Sequence, residues 1–246
     1  MSEQTVLLRA LGNIGYADAW DLQEQLLAGN VQVKTDWHRQ PPGQRIPANA
    51  PSTQHHLLLC EHPLVYTLGK SGKMQHVLLD EQSMAARGIS FFHTNRGGDI
   101  TFHGPGQWVG YPILDLERFR PDISWYLRSL EEVIIRMLAG YGLNGDRSPG
   151  ETGVWLEPEI PARARKICAM GVRCSRWVTM HGFAFNVNTD LSYFGHIIPC
   201  GIHDKQVTSL AQELGHPVPM EEVSQQLCRQ FERVFDCQLI SSEALE

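Results

Sequence analysis

KICAMGVRCSRWVTMHGFAFNV, residues 166–187, holds two long stretches of apolar and β-branched residues, KICAMGVRC (166–174) and VTMHGFAFNV (178–187). Neither contains proline, and both are strand candidates. Upstream, GVWL (153–156) is another, and HHLLLCEH (55–62) and LVYTLG (64–69) read as short buried strands. ISFFHTN (89–95), DITFH (99–103) and QWVGYPILDL (107–116) extend the set, broken by Asn95-Arg-Gly-Gly-Asp and Gly104-Pro-Gly into a tight glycine-rich bend. Helical periodicity is confined to three places. Residues 15–28 carry Tyr16, Ala19, Trp20, Leu22, Leu26 and Leu27 at helical spacing. Residues 123–141 keep a 3.6-residue period, with Asp122 or Ser124 as N-cap and Gly142 at the end. Val223, Leu227, Phe231, Val234 and Phe235 mark a last helix opened by Pro219. Residues 34–54, with four prolines, read as a long surface loop. Strands outnumber helices and helices fall between strand groups. The expectation is an α+β fold, a mixed sheet flanked by helices, with 1–246 as a single domain.

The 246 residues are 42% hydrophobic and 20% charged, which excludes a disordered chain and a coiled coil. No apolar run approaches the roughly 18 residues that a membrane helix needs. A net charge of −6 runs against a sequence-independent nucleic-acid binder. No leader pattern opens the chain, so a cytoplasmic location with reduced thiols is expected. The six cysteines include no CxxC pair, and neither a zinc site nor any other metal site is expected.

Three segments could carry chemistry. In RGGDITFHGPGQ (96–107), paired glycines allow close backbone approach to a ligand, with Arg96 and His103 as polar groups at the ends of a short strand. A tight hairpin with a surface arginine and a capped histidine fits equally well. Neither GxGxxG nor GxxxxGK[ST] occurs, so a nucleotide-phosphate loop is unsupported. Lys166 lies in an apolar strand, where a buried ammonium could act as acid or base near neutral pH. The alternative is a strand-edge lysine reaching water. Cys200 sits between Pro199 and Gly201, in a turn whose N–H groups could face an oxyanion. An ordinary half-buried thiol is the other reading. Cys60, Cys228 and Cys237 read as core or bystander residues. His55, His56, His62, His93, His181, His196 and His203 form no HExxH and read as structural, whereas His103 stands apart by its place in the glycine-rich segment.

RGGDITFHGPGQ, KICAMGVR, HGFAFNVNTDLSYFGHIIPCGI and KQVTSL, in that order, resemble the signature segments of lipoyl(octanoyl) transferases, over about residues 57 to 215. That resemblance implies the fold of biotin and lipoate protein ligases. It implies transfer of an octanoyl group from octanoyl-acyl carrier protein to a lysine of lipoyl domains, those of 2-oxoacid dehydrogenase complexes and of the glycine cleavage H protein. By the same resemblance Cys200 is the nucleophile that carries the acyl group, and Lys166 lowers its pKa. Arg96, Gly97, Gly98, Asp99, Ile100, Thr101, Phe102 and His103 match one part of the substrate pocket. Ala169, Met170 and Gly171, with Gly182, Phe183 and Ala184, match the rest. No cofactor, nucleic acid or membrane is implied, and a monomer is expected. The stretch 34–54 looks longer than is usual in that family. Arg163, Arg165, Arg173 and Arg176 could face an acidic carrier protein or form a solvated cluster. An ATP-dependent ligase of the same fold and a non-catalytic adaptor are the competing readings.

Overall fold

The computed structural model describes residues 4–39, 51–198 and 206–241. In chain order, β1 (Gln4–Asn13), α1 (Tyr16–His38), β2 (His55–Glu61) and β3 (Val65–Leu68) come first. α2 (Glu81–Ala86), β4 (Ser90–His93), β5 (Ile100–His103), β6 (Gln107–Ile113) and α3 (Ile123–Gly140) follow. Then come β7 (Gly145–Asp146), β8 (Val154–Leu156), β9 (Arg165–Ser175) and β10 (Val178–Asn186). β11 (Gln206–Val207), α4 (Leu210–Leu214), α5 (Met220–Phe235) and β12 (Cys237–Ser241) close the described chain.

The large sheet has nine strands among the described residues, in the order β12-β1-β2-β6-β10-β9-β8-β7, with β11 also paired to β9. β1 runs parallel to both β12 and β2, whereas β2, β6, β10, β9, β8 and β7 alternate antiparallel. A small sheet, β4-β3-β5, stands beside it. The fold is α+β, a mixed sheet flanked by helices, as expected.

The continuous apolar run of β2 follows from burial on both faces. Leu57 and Leu59 join α3 and α5 in the main core, with Leu130, Ile134, Leu138, Leu227 and Phe231. Leu58 and Cys60 face the other way, against Ala19 of α1. α3 is capped as read, the Asp122 carboxylate accepting from Trp125 N (3.0 Å), and Gly142 takes a left-handed φ of +74° just past its end.

Two expectations change. The first helix does not stop at 28 but runs to His38, so residues 34–38 of the expected loop are helical. Its buried stripe after residue 20 is Gln23, Leu27, Asn30 and Lys34, mostly polar, which hides the period from a hydrophobicity reading. Lys34 is 1% exposed and lies 2.5 Å from Asp115 and 3.0 Å from Glu117. Residues 40–50 of that loop lie outside the described residues. The edge strand β12 and its neighbour β1 carry no strand expectation from the sequence. No described helix is long and apolar enough to cross a membrane.

Candidate active site

Above the β6–β10–β9 region lies a cavity of about 540 Å³. Its floor is the β9–β10 ladder, in which Ala169 pairs with Ala184, Met170 with Phe183 and Gly171 with Gly182. The glycine-rich segment 96–99 folds over β9, Gly97 N donating to Val172 O (2.9 Å). This contact needs Gly171, because a Cβ there would stand 2.5 Å from Gly97 O. Gly98 turns the segment with φ +90°, a conformation open to glycine.

Arg96 is not a surface arginine. It is 8% exposed, and its Nη2 donates to Thr67 O (2.5 Å) and Thr67 Oγ1 (3.0 Å), its Nη1 to Gly97 O (3.1 Å). His103 is held between Gln107 Oε1 (2.9 Å) and Thr67 Oγ1 (3.2 Å), and burial keeps its imidazole well below the ordinary value and therefore neutral. Asp99 pairs with His76 at 2.6 Å.

Lys166 is no edge lysine. β9 pairs there with Trp155 of β8 and Val207 of β11, and the Lys166 ammonium lies 4.6 Å from the centre of the Trp155 ring, half-buried against it at the cavity wall. Arg96 and Lys166 are the two lysine or arginine cations among the described lining residues.

The cavity thus gathers Lys166, Arg96, Gly97, Gly98, Asp99, Ile100, Thr101, His103, Ala169, Met170, Gly171, Gly182, Phe183 and Ala184. Phe102 alone among the described candidates is absent from its wall. Its ring turns into a second core, stacked on Tyr193 with centroids 4.8 Å apart. Cys200 lies outside the described residues. Phe194 and Val207, on either side of it in the chain, both line the cavity. None of the five described cysteines does. Burial pushes the thiols of Cys60 and Cys168 far up and that of Cys228 to about 11.

A family model described as the lipoyl protein ligase A/B catalytic domain matches residues 16–232. The chain belongs to that family. Within the lipoyl protein ligase A/B family, an octanoyltransferase of Flavobacterium psychrophilum is 53% identical over 238 residues, 96% of this chain and 99% of the relative. An octanoyltransferase of Christiangramia forsetii is 53% identical over 235 residues, 95% and 97% of the two chains. The chain is accordingly an acyltransferase. The bi-partite lipoate protein ligase of Thermoplasma acidophilum superposes with a TM-score of 0.67 at 17% identity, covering 97% of this chain and 87% of that one. A lipoate-protein ligase A bound with ATP gives 0.62 at 17%, covering 100% and 92%. These two likenesses establish the lipoyl protein ligase fold.

Sequence reading missed several residues of this family site. Tyr16, at the start of α1, stacks on His103, and burial drives its hydroxyl to about 12. Tyr111 and His62 meet at 2.7 Å, and Tyr111 also lines the cavity. His181, read as structural, lines it with a left-handed φ of +56° and a ring held by Asn95 at 2.7 Å. Burial lowers that imidazole to about 3. Gly150, Glu151 and Thr152 add a wall that no motif announced. The four arginines that could face a carrier or form a solvated cluster each have a partner. Arg163 and Arg165 pair with Glu157, Arg165 also with Glu213, Arg173 with Glu24, and Arg176 bonds Thr35.

Proposed function

We propose that residues 1–246 act as one catalytic domain that moves an octanoyl group from octanoyl-acyl carrier protein to a lysine of a lipoyl domain, through a thioester on Cys200. The observation that carries this reading is the meeting, at one cavity, of Lys166 and the residues flanking the Cys200 segment, Phe194 and Val207. Val207 is registered directly on Lys166 in the β9–β11 pair. None of the five described thiols lines the cavity, and burial raises four of them, which supports Cys200 as the thiol for covalent work.

In the first step the Cys200 thiolate attacks the thioester carbonyl, and the carrier thiolate leaves with a proton from the Lys166 ammonium. In the second, the acceptor amine attacks the new thioester. Lys166, now neutral, takes the amine proton, and the Cys200 thiolate is released. Thioester exchange is near-neutral in energy and amide formation is downhill, so neither step consumes ATP. The seven carbons beyond the octanoyl carbonyl, at about 0.8 kcal/mol each, supply roughly 5 kcal/mol before ordering costs. Met170 and Phe183 offer the apolar wall for that chain. The buried, uncharged His103 and His181 add no charge to the cavity, whose cations are Arg96 and Lys166. Free described cysteines fit a reducing compartment such as the cytoplasm.

The test is intact-mass analysis after incubation with octanoyl-acyl carrier protein without ATP. One octanoyl adduct is expected, removed by hydroxylamine, discharged by a lipoyl domain and absent from Cys200→Ala. Lys166→Ala should slow alkylation of Cys200 at neutral pH. Octanoylation of the domain only with free octanoate and ATP would overturn the reading in favour of a ligase.

A further inference from the structure

The described surface has four large exposed hydrophobic residues, and two of them, Met74 (54% exposed) and Leu78 (55%), lie on one short segment, 69–79. The same segment exposes Lys70 and Lys73. Among the described residues neither lysine has an ion-pair partner, whereas Arg163, Arg165 and Arg173 each do. Asp80, the next acid along the chain, is turned into its own helix, capping α2 through Ser83 N at 2.7 Å.

This segment is the outer layer of the cavity wall. Lys70 N donates to Arg96 O (3.0 Å) and Ser71 N to Gly98 O (3.1 Å). His76 pairs with Asp99, and Ile198 N donates back to His76 O (2.9 Å). An apolar and cationic surface therefore backs directly onto the loop that lines the cavity, on a chain whose net charge is −6. Acidic proteins are repelled by such a chain as a whole, and a local cationic patch steers them to one place.

We propose that the face formed by Lys70, Lys73, Met74 and Leu78 is the docking surface for the donor, an acidic carrier protein. This rests on the transfer reading above. The donor is favoured over the acceptor domain by charge chemistry. A carrier holds its acyl thioester on an arm joined through a phosphodiester, an anion suited to two neighbouring ammonium groups. A lipoyl domain presents a lysine, a cation. Met74 and Leu78 supply the apolar contact between the two proteins, and the charges set the encounter rate.

The experiment is steady-state kinetics of the full chain with two donors, octanoyl-acyl carrier protein and octanoyl-pantetheine, which lacks both the protein and the phosphate. In Lys70→Glu/Lys73→Glu, kcat/KM for the carrier donor is expected to fall about tenfold or more at low salt, with a weaker salt dependence. Turnover of octanoyl-pantetheine and KM for the lipoyl domain should stay at wild-type values. Met74→Ser/Leu78→Ser should raise KM for the carrier and keep the salt dependence. Arg229→Glu/Arg233→Glu, exposed on α5, makes the same change in net charge and should have no effect. An unchanged carrier kcat/KM, a rise in lipoyl-domain KM instead, or an equal loss in the α5 variant would each overturn the assignment. If the wild-type protein accepts octanoyl from neither thioester, the transfer reading falls, an outcome distinct from any difference between variants.

Discussion

The two faces of the large sheet are covered by different means. On one side α3 and α5 lay Leu130, Ile134, Leu138, Leu227, Phe231 and Phe235 on the strands, an apolar layer. On the other, α1 buries Gln23, Asn30 and Lys34 as well as Tyr16, Ala19 and Leu27. Gln23 Oε1 accepts from His181 N (2.9 Å), Asn30 clasps the backbone of Gln54, and Lys34 meets Asp115. Apolar burial is non-directional and tolerates small shifts, whereas hydrogen bonds fix angles and distances. The directional contacts lie on the helix that supplies Tyr16 to the cavity and holds the unusual backbone of His181. Geometry is fixed where the chemistry needs it, and bulk stability comes from the opposite face.

The sharpest way to break this contrast is Asp115→Ala. Lys34 would remain buried with only the half-exposed Glu117, and Thr53 would lose its acceptor. A loss of about 3–5 kcal/mol in unfolding free energy is expected, read from denaturant midpoints. A change of less than 1 kcal/mol would mean the polar stripe has no structural weight. Next in size, Leu227→Ala on the apolar face should cost about 2–5 kcal/mol while acyl transfer per folded molecule is retained. A collapse of turnover in protein that is still folded would show that the two faces are not separable.

The last effect is graded with pH and is smallest near neutrality. Burial holds His55 and His56 at about 4 and His181 at about 3, against an ordinary value of 6.5. Unfolded imidazoles take up protons below pH 6.5 and the folded ones resist, so stability is full above that pH. It declines as pH falls toward 4, by up to about 1.4 kcal/mol per pH unit for each histidine. Melting temperatures measured from pH 7.5 to 4.5 should fall below about 6.5. A flat profile would remove these histidines from the polar framework.

The same contrast explains what the sequence revealed. α3 and α5 were legible because their buried positions are apolar at helical spacing, and β2, β9 and β10 because each carries a run rich in apolar residues without proline. α1 beyond Leu27 was not, since its buried stripe is Gln23, Asn30 and Lys34. β1 and β12 complete a sheet edge by pairing with each other across nearly the whole chain, which no local pattern encodes. Arg96 stood out beside a glycine pair and Lys166 as a lysine in a largely apolar strand, each with a plain alternative reading, whereas the small residues of β9 and β10 came from the family resemblance alone. Tyr16, Tyr111 and His181 were not, because each sits in a pattern that also suits a plain core residue. The 150–152 wall depends on Glu131, a fully buried carboxylate on α3 that accepts from Gly153 N (3.1 Å) and from Arg128 and Arg147.

β9 carries one further consequence. Around Lys166 it is bonded along both edges, to β8 and β11, and from 168 onward it is matched residue by residue to β10. Strands held in this way release their amide hydrogens to solvent only when the whole domain opens, unlike loops and helix ends, which exchange by local fraying. The lysine and the cavity floor therefore belong to the slowest-exchanging part of the chain. On warming or in denaturant, this floor keeps its form until the protein as a whole is lost.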